Sequence, residues 1–202
     1  MKQTNLSAVV LSGGQSSRIK VADKGLVELA GQPMIYYVLQ NLGLHLTDIS
    51  ISTHAPQTDY QQFGYPLVND HYEAYLGPLA GIHAGLTHAK AQNVFIAPCD
   101  CPFLNTQLII ERLLCAQHHH QARLVVAHDG YHIQPTIALI DRVLLNSLEQ
   151  YITRGGRRLM TWFKQEHCVE VDFSDLKNDF FNINSPADLQ RAQLRLGYQT
   201  AE

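Results

Sequence analysis

No apolar run in this chain approaches the ~18 residues that a membrane-spanning helix needs, which excludes such a span. An excess of positive charge is also missing. Lysine and arginine number 15 against 18 acidic residues, for a formal charge of −3, so no general basic field exists to hold nucleic acid. Cysteine is scarce, and Cys99, Cys101, Cys115 and Cys168 make no disulfide framework of the kind that staples small secreted domains. Met1-Lys2-Gln3-Thr4-Asn5 leads directly into a strand, without the pattern of a secretory leader. Neither the Gly-x-x-x-x-Gly-Lys-Ser/Thr of a P-loop nor the Gly-x-Gly-x-x-Gly of a dinucleotide site occurs. No Ser-His-Asp or Cys-His nucleophile arrangement stands out. The expectation is a cytoplasmic protein with reduced thiols, with no membrane and no nucleic acid among its partners.

What is present is concentrated near the N-terminus. The apolar run Ala8-Val9-Val10-Leu11 passes into Ser12-Gly13-Gly14-Gln15-Ser16-Ser17-Arg18, and Asp23-Lys24-Gly25 follows. A strand that runs into a small-residue turn lets the backbone approach a ligand closely, and successive free N–H groups form a concavity that suits anions. Arg18 and Lys24 bring two cations to the same place. Phosphate is the natural ligand.

The 202 residues are enough for a substantial core, and no linker, repeat or low-complexity stretch divides them, so a single domain over 1–202 is expected. Apolar runs of strand length alternate with helical periodicity, the pattern of an α/β layer architecture. Strands are predicted at Ser7–Leu11, Asp48–Thr53, Pro66–Val68, Val94–Ala97, Arg123–Ala127, Thr136–Ile140 and Cys168–Phe173. Helical spacing follows Pro33 (Ile35, Val38, Leu39, Leu42), Asn105 (Leu108, Ile109, Leu113, Ala116) and Asp141 (Val143, Leu144, Leu148, Tyr151). A last helix begins with Ser185 as N-cap, Pro186 at its first position and Asp188 at the third. The tract His118-His119-His120 falls late in the second of these helices and reads as a solvated helix end.

Ligands of open α/β sheets bind outside the carboxyl ends of the strands. Asp70 follows the run Pro66–Asn69, Asp100 follows Val94–Ala97, and Asn182 and Asn184 end the run Phe180-Phe181, which reads as a strand. All would share an edge with the Gly13-Gly14 turn. A carboxylate beside a polyphosphate is unfavourable unless a cation lies between them, so Asp100 is expected to hold Mg²⁺, which bridges phosphate oxygens. Asp70 is either a second metal ligand or a ribose or base contact. Gly77-Pro78-Leu79-Ala80-Gly81 either lets a flat base lie on backbone or is a helix-entry turn. Arg154, Arg157 and Arg158 are either a solvated face or a site for an anionic ligand. Cys99 and Cys101 flank Asp100 too tightly for a zinc pair, and strand alternation would turn both away from it. Nucleotidyl transfer needs an in-line nucleophile and stabilised phosphate charge, which Arg18, Lys24 and a metal on Asp100 would supply.

These segments together resemble the molybdenum cofactor guanylyltransferases, a bacterial family that attaches GMP to molybdopterin. The resemblance is carried by Leu11-Ser12-Gly13-Gly14 with Arg18, Asp23-Lys24-Gly25, Gly77–Gly81, Pro98–Pro102, Pro135–Leu139, Gly156-Arg157-Arg158, Val171–Asp175 and Asn182–Pro186, in the family's order along nearly the whole chain. It implies a Rossmann-like doubly wound, mainly parallel sheet of the nucleotide-diphospho-sugar transferase type. GTP would lie at the N-terminal half, on Leu11, Ser12, Gly13, Gly14, Lys24, Asp70, Gly77, Gly81 and Asp100, with Asp100 as the magnesium ligand. Molybdenum-molybdopterin would lie towards the C-terminal half, on Arg157, Arg158, Asn182 and Asn184. Arg18, Lys24 and Asp100 would carry catalysis. Protein partners would be other molybdenum cofactor biosynthesis proteins and the apo-molybdoenzymes or chaperones that receive the product. The rival readings are a CTP-using or sugar-phosphate nucleotidyltransferase, and a non-catalytic nucleotide or cofactor carrier. The chain departs from the family pattern at Ser12, usually Ala, at Ile19-Lys20, usually Met-Gly, at Ser52, where a nucleotide-contacting Asn is usual, and at Gln134, where His is common.

Overall fold

The computed structural model describes residues 3–12, 23–53, 57–69 and 76–197. Strand β1 (Gln3–Ser12) is followed, after a 3₁₀ turn at Lys24–Leu26, by a small hairpin of β2 (Glu28–Leu29) and β3 (Gln32–Pro33). Helix α1 (Met34–Gly43), β4 (Leu46–Thr53), the short α2 (Gln57–Gln61) and β5 (Leu67–Val68) come next. The middle of the chain forms α3 (Pro78–His88), β6 (Asn93–Pro98), α4 (Thr106–His120), β7 (Leu124–His128) and β8 (Ile133–Asp141). It closes with α5 (Leu145–Thr153), α6 (Leu159–Gln165), β9 (Val169–Asp172) and α7 (Pro186–Arg195).

Seven strands form one sheet in the order β5-β4-β1-β6-β8-β7-β9, and they are the seven predicted from the sequence. Only β8 among them runs antiparallel, against β6 on one side and β7 on the other. The chain winds from β1 outward through β4 to β5, then returns to place β6 on the other flank of β1. The carboxyl ends of β1 and β6 therefore border the point where winding reverses, which is where α/β sheets hold ligands.

The apolar runs are continuous because both faces of the sheet are covered. Ala8, Val10, Phe95, Ala97, Val125, Ile137 and Leu139 pack on the face that holds α1 and α4. Their neighbours Val9, Val94, Ile96, Leu124, Val126, Ala138 and Ile140 pack on the face that holds α3, α5 and α6. A smaller cluster joins Leu29 of the hairpin, Met34, Ile183 and Ala192 of α7. Asn105 caps α4 by accepting from the Leu108 amide at 3.2 Å, and His118–His120 form its exposed last turn. The stretch after Asp141 divides into a 3₁₀ turn and α5, and Val143 is left half exposed. Among the described residues no helix is long and apolar enough to cross a membrane. All four cysteines are free.

One expected strand is absent. Phe180-Phe181 closes a 3₁₀ segment, Ser174–Phe180, because its two rings anchor in different places. Phe180 packs 5.7 Å from Phe173, and Phe181 packs 6.3 Å from Phe103. The β2–β3 hairpin was not evident from the sequence. Its turn places Ala30 at φ 51° and Gly31 at φ 80°, and alanine gives none of the signal that Asn-Gly would. A left-handed alanine is strained where glycine is not. Ala30→Gly should therefore stabilise the protein by about 1 kcal/mol, seen as a rise in Tm of about 2–4 °C. A lower Tm would contradict the left-handed turn.

Candidate active site

The glycine-bearing segment leaves the sheet at Ser12 and re-enters the described structure at Asp23. Gly13, Gly14, Arg18 and Asp70 lie outside the described residues. The ends of β1 and β6 are held together by the Cys99 amide, which donates to the Leu11 carbonyl at 3.1 Å. Leu11 is half-buried and Ser12 is buried at this edge. On the return, Asp23 caps the Lys24–Leu26 turn by accepting from the Gly25 amide at 3.0 Å.

That turn presents Lys24 to three oxygen acceptors. Its ammonium forms an ion pair with Asp100 and donates to the amide oxygens of Asn184 and, at 3.2 Å, Asn182. The Lys24 and Asp100 side chains are 15% and 12% exposed, so the pair is shielded but reachable. The asparagines arrive by strand-like alternation without a strand. The Ile183 amide donates to the Asp100 carbonyl at 3.0 Å while the Ile183 side chain is buried in the small cluster with Leu29. Its neighbours on either side thus both face Lys24.

Asn184 is fixed in turn by the start of α7. Its amide donates to Asp188 Oδ2 at 3.1 Å, the Ser185 hydroxyl donates to the same oxygen at 2.7 Å, and the Asp188 amide returns a bond to Ser185 Oγ at 3.2 Å. Burial pushes the Asp188 carboxyl up. The bonds from Ser185, Arg191 and Asn184 outweigh that and hold it below the usual aspartate range.

Gly77 starts α3 at φ 56°, with Pro78 at its first position. Gly81 lies one turn later against Leu11 and Ser52, where a Cβ would come within 2.8 Å of Leu11 Cδ2 and Ser52 Oγ. The small-residue segment is therefore a helix entry that also brings backbone close to the end of β1. Arg157 and Arg158 fall in the connection between α5 and α6. The Arg157 guanidinium donates to the Ile152 and Gly156 carbonyls, and the Tyr151 hydroxyl donates to the Arg158 carbonyl at 2.9 Å.

The cysteines do not turn away from Asp100 as strand alternation predicts. β6 ends at Pro98, so both lie in the following turn, and Cys101 Sγ sits 3.7 Å from Asp100 Oδ1. Both thiols are buried, and burial, reinforced by Asp100, pushes them above the ordinary thiol range. They stay protonated. Asp100 is thus the described carboxylate that meets Lys24 at this edge. Sequence reasoning passed over Tyr60, a buried aromatic on α2 that bonds Asp23.

The fold is shared with solved nucleotidyltransferases. A molybdopterin-guanine dinucleotide biosynthesis protein A from Archaeoglobus fulgidus superimposes with a TM-score of 0.79 at 24% identity, covering 95% of this chain and 98% of that one. A 4-diphosphocytidyl-2C-methyl-D-erythritol synthase from Anaerococcus prevotii gives 0.73 at 13% identity, covering 96% and 97%. The family profile of the MobA-like NTP transferase domain matches residues 8–170. A molybdenum cofactor guanylyltransferase of Vibrio vulnificus is 41% identical over 94% of this chain and 95% of its own. One from Shewanella loihica is 38% identical over 92% and 94%. The chain belongs to the molybdenum cofactor guanylyltransferase family.

In this family member the capping carboxylate Asp188 is a structural support of the Lys24 cluster. A carboxyl held below its unfolded pKa stabilises the fold above the ordinary aspartate value, near ~4, and that contribution fades as pH falls through the folded value. Asp188→Ala should cost about 1 kcal/mol at neutral pH, roughly 2–4 °C in Tm. The gap to the parent protein should narrow in thermal scans below about pH 4. A gap that is constant with pH would show that the charge of Asp188 has no part in it.

Proposed function

We propose that this protein transfers GMP from GTP to the terminal phosphate of molybdenum-molybdopterin in the cytoplasm and releases pyrophosphate, with Mg²⁺ as its cofactor. The observation that carries this reading is the meeting of Lys24, Asp100, Asn182 and Asn184 at the carboxyl edge of the sheet, beside both ends of the glycine-bearing segment. Family membership supplies the reaction, since the relatives are guanylyltransferases of the molybdenum cofactor.

The donor chemistry fits a magnesium ion. The described residues contain no cluster of three or more His, Cys, Asp or Glu. One carboxylate and two amide oxygens, all hard donors, converge on Lys24, and magnesium typically takes one or two carboxylates with the rest from water and phosphate. Asp100 would hold the ion, which when bound supplies positive charge to the reacting phosphates.

The remaining chemistry falls to the chain's own groups. A terminal phosphate oxygen of molybdopterin attacks the α-phosphorus of GTP, and the bond from that phosphorus to the α–β bridging oxygen breaks. The nucleophile is already anionic, so no general base is required. Lys24 neutralises phosphate charge, and Arg18 takes the leaving pyrophosphate. Leu11, Ser12, Gly13, Gly14, Gly77 and Gly81 offer backbone to the nucleotide, and Asp70 contacts the metal, ribose or base. Arg157 and Arg158 hold the pterin phosphate, together with Asn182 and Asn184. Within one domain the N-terminal half carries GTP and the C-terminal half the pterin, with Lys24 touching residues of both.

A nucleotide panel assayed for pyrophosphate release in the presence of molybdopterin tests the assignment. GTP should be used at least about 100-fold better than CTP or ATP, because a wrong base leaves buried polar groups unpaired. Equal use of CTP would move the protein to a cytidylyl activity, and nucleotide binding with no release would leave a carrier. Asp100→Asn should fold and lose at least about 100-fold in turnover, since a neutral amide holds a hard dication poorly.

The asparagines separate the two substrates. An Asn182→Ala, Asn184→Ala double variant should bind GTP within about threefold of the parent by calorimetry and bind molybdopterin about tenfold or more weakly, the effect of losing one or two hydrogen bonds to a charged ligand. Loss of GTP affinity instead would mean that the pair serves only to hold Lys24.

A further inference from the structure

The two anchors of the glycine-bearing segment are joined by a residue from a distant part of the chain. Tyr60 is fully buried on α2, in the core that also holds Val10 and Cys99. Its hydroxyl donates to Asp23 Oδ1 at 2.6 Å and is hydrogen-bonded to the Ser12 hydroxyl. A phenol has one proton to give. With that proton directed at the Asp23 carboxylate, the Ser12 hydroxyl donates to the phenol oxygen, and it also lies 3.5 Å from the same Asp23 oxygen, so the three groups form one cluster with Tyr60 making its shorter contacts. The same Asp23 oxygen accepts from the Gly25 amide and so sets the turn that carries Lys24. Tyr60 is thus two bonds from the backbone that aims the ammonium.

The packing leaves no slack. A Cβ on Gly25 would collide with Ser12 Oγ and lie 2.7 Å from Tyr60 Oη, so this glycine is what allows the turn to sit on the two hydroxyls. Tyr60 is kept in place on its other side by Phe63, with ring centroids 6.0 Å apart. Burial, then the hydrogen bond to Asp23, pushes the phenol well above its ordinary range, so it stays a neutral donor.

We propose that Tyr60 is a positioning residue for nucleotidyl transfer. By bonding both Ser12 and Asp23 it braces the turn that carries Lys24 and fixes the direction in which Lys24 meets the nucleotide phosphates. The proposal rests on Lys24 being a phosphate ligand, as inferred above. It assigns to a buried aromatic outside the phosphate motif the task of setting GTP affinity and the geometry of attack. Small misplacements of a charged group at a reacting phosphate have large effects on rate.

Tyr60→Phe removes one oxygen and leaves the ring in the core. The variant should keep the parent's circular dichroism and most of its Tm, while the KM for GTP rises about tenfold and the KM for molybdopterin stays within about twofold. A purely structural role would lower Tm and leave both KM values unchanged, and that result overturns the proposal. The decisive measurement is GTP affinity by calorimetry across the parent, Tyr60→Phe, Lys24→Met and the double variant. If Tyr60 acts through Lys24, Tyr60→Phe should change affinity less than about twofold once Lys24 is methionine. Full additivity overturns the role of Tyr60 and leaves the phosphate role of Lys24 intact. Unchanged affinity in Lys24→Met would instead overturn the phosphate reading on which the proposal stands.

Discussion

The contact between the Lys24 ammonium and the Asp100 carboxylate is the constraint around which the active edge is arranged. A shielded ion pair is favourable only when its remaining hydrogen-bonding capacity is met. An ammonium has three protons, and Asp100, Asn182 and Asn184 supply three acceptors. Each of those acceptors has its own support. Asp100 follows β6, whose end is bonded to β1, Ile183 is tied to the Asp100 backbone, and Asn184 is held by Asp188. With all three protons accepted, the ammonium is fully satisfied by protein oxygens at this edge.

The sheet explains why these groups meet. Parallel β1 and β6 are neighbours although α1, β4, β5 and α3 separate them in sequence. Their carboxyl ends point the same way at the reversal of winding. The antiparallel β8 beside β6 is a single reversal, after which β7 and β9 run in the direction of β1 and β6 again. The hairpin and α7 then cover the small cluster around Ile183, which presses the asparagine segment onto the edge.

Much of this was legible in the sequence because the signals were local or periodic. Two-faced burial turns strands into unbroken apolar runs such as Val94–Ala97, and Ser185-Pro186 with Asp188 spells a helix start. Lys24 was visible in the Asp23-Lys24-Gly25 motif, and Asp100, Asn182 and Asn184 as polar groups after apolar runs. Their meeting at one ammonium was not, since nothing local records a contact across 158 positions. Tyr60 escaped for a related reason. An aromatic in a five-residue helix looks like ordinary core, and only the buried carboxylate opposite gives its hydroxyl meaning. Phe180-Phe181 misled because two adjacent apolar rings read as a strand when each is anchored separately.

The bond from the Ile183 amide to the Asp100 carbonyl has a consequence for the order of events during synthesis. The segment that brings two of the three acceptors to Lys24 is synthesised after both Lys24 and Asp100. Until it docks, the N-terminal cation and the β6 edge can pair, but the site is incomplete. Nascent chains that have already formed most of the sheet would therefore still lack two of the three acceptors. Completion of the oxygen shell around Lys24 thus waits on the segment that precedes α7.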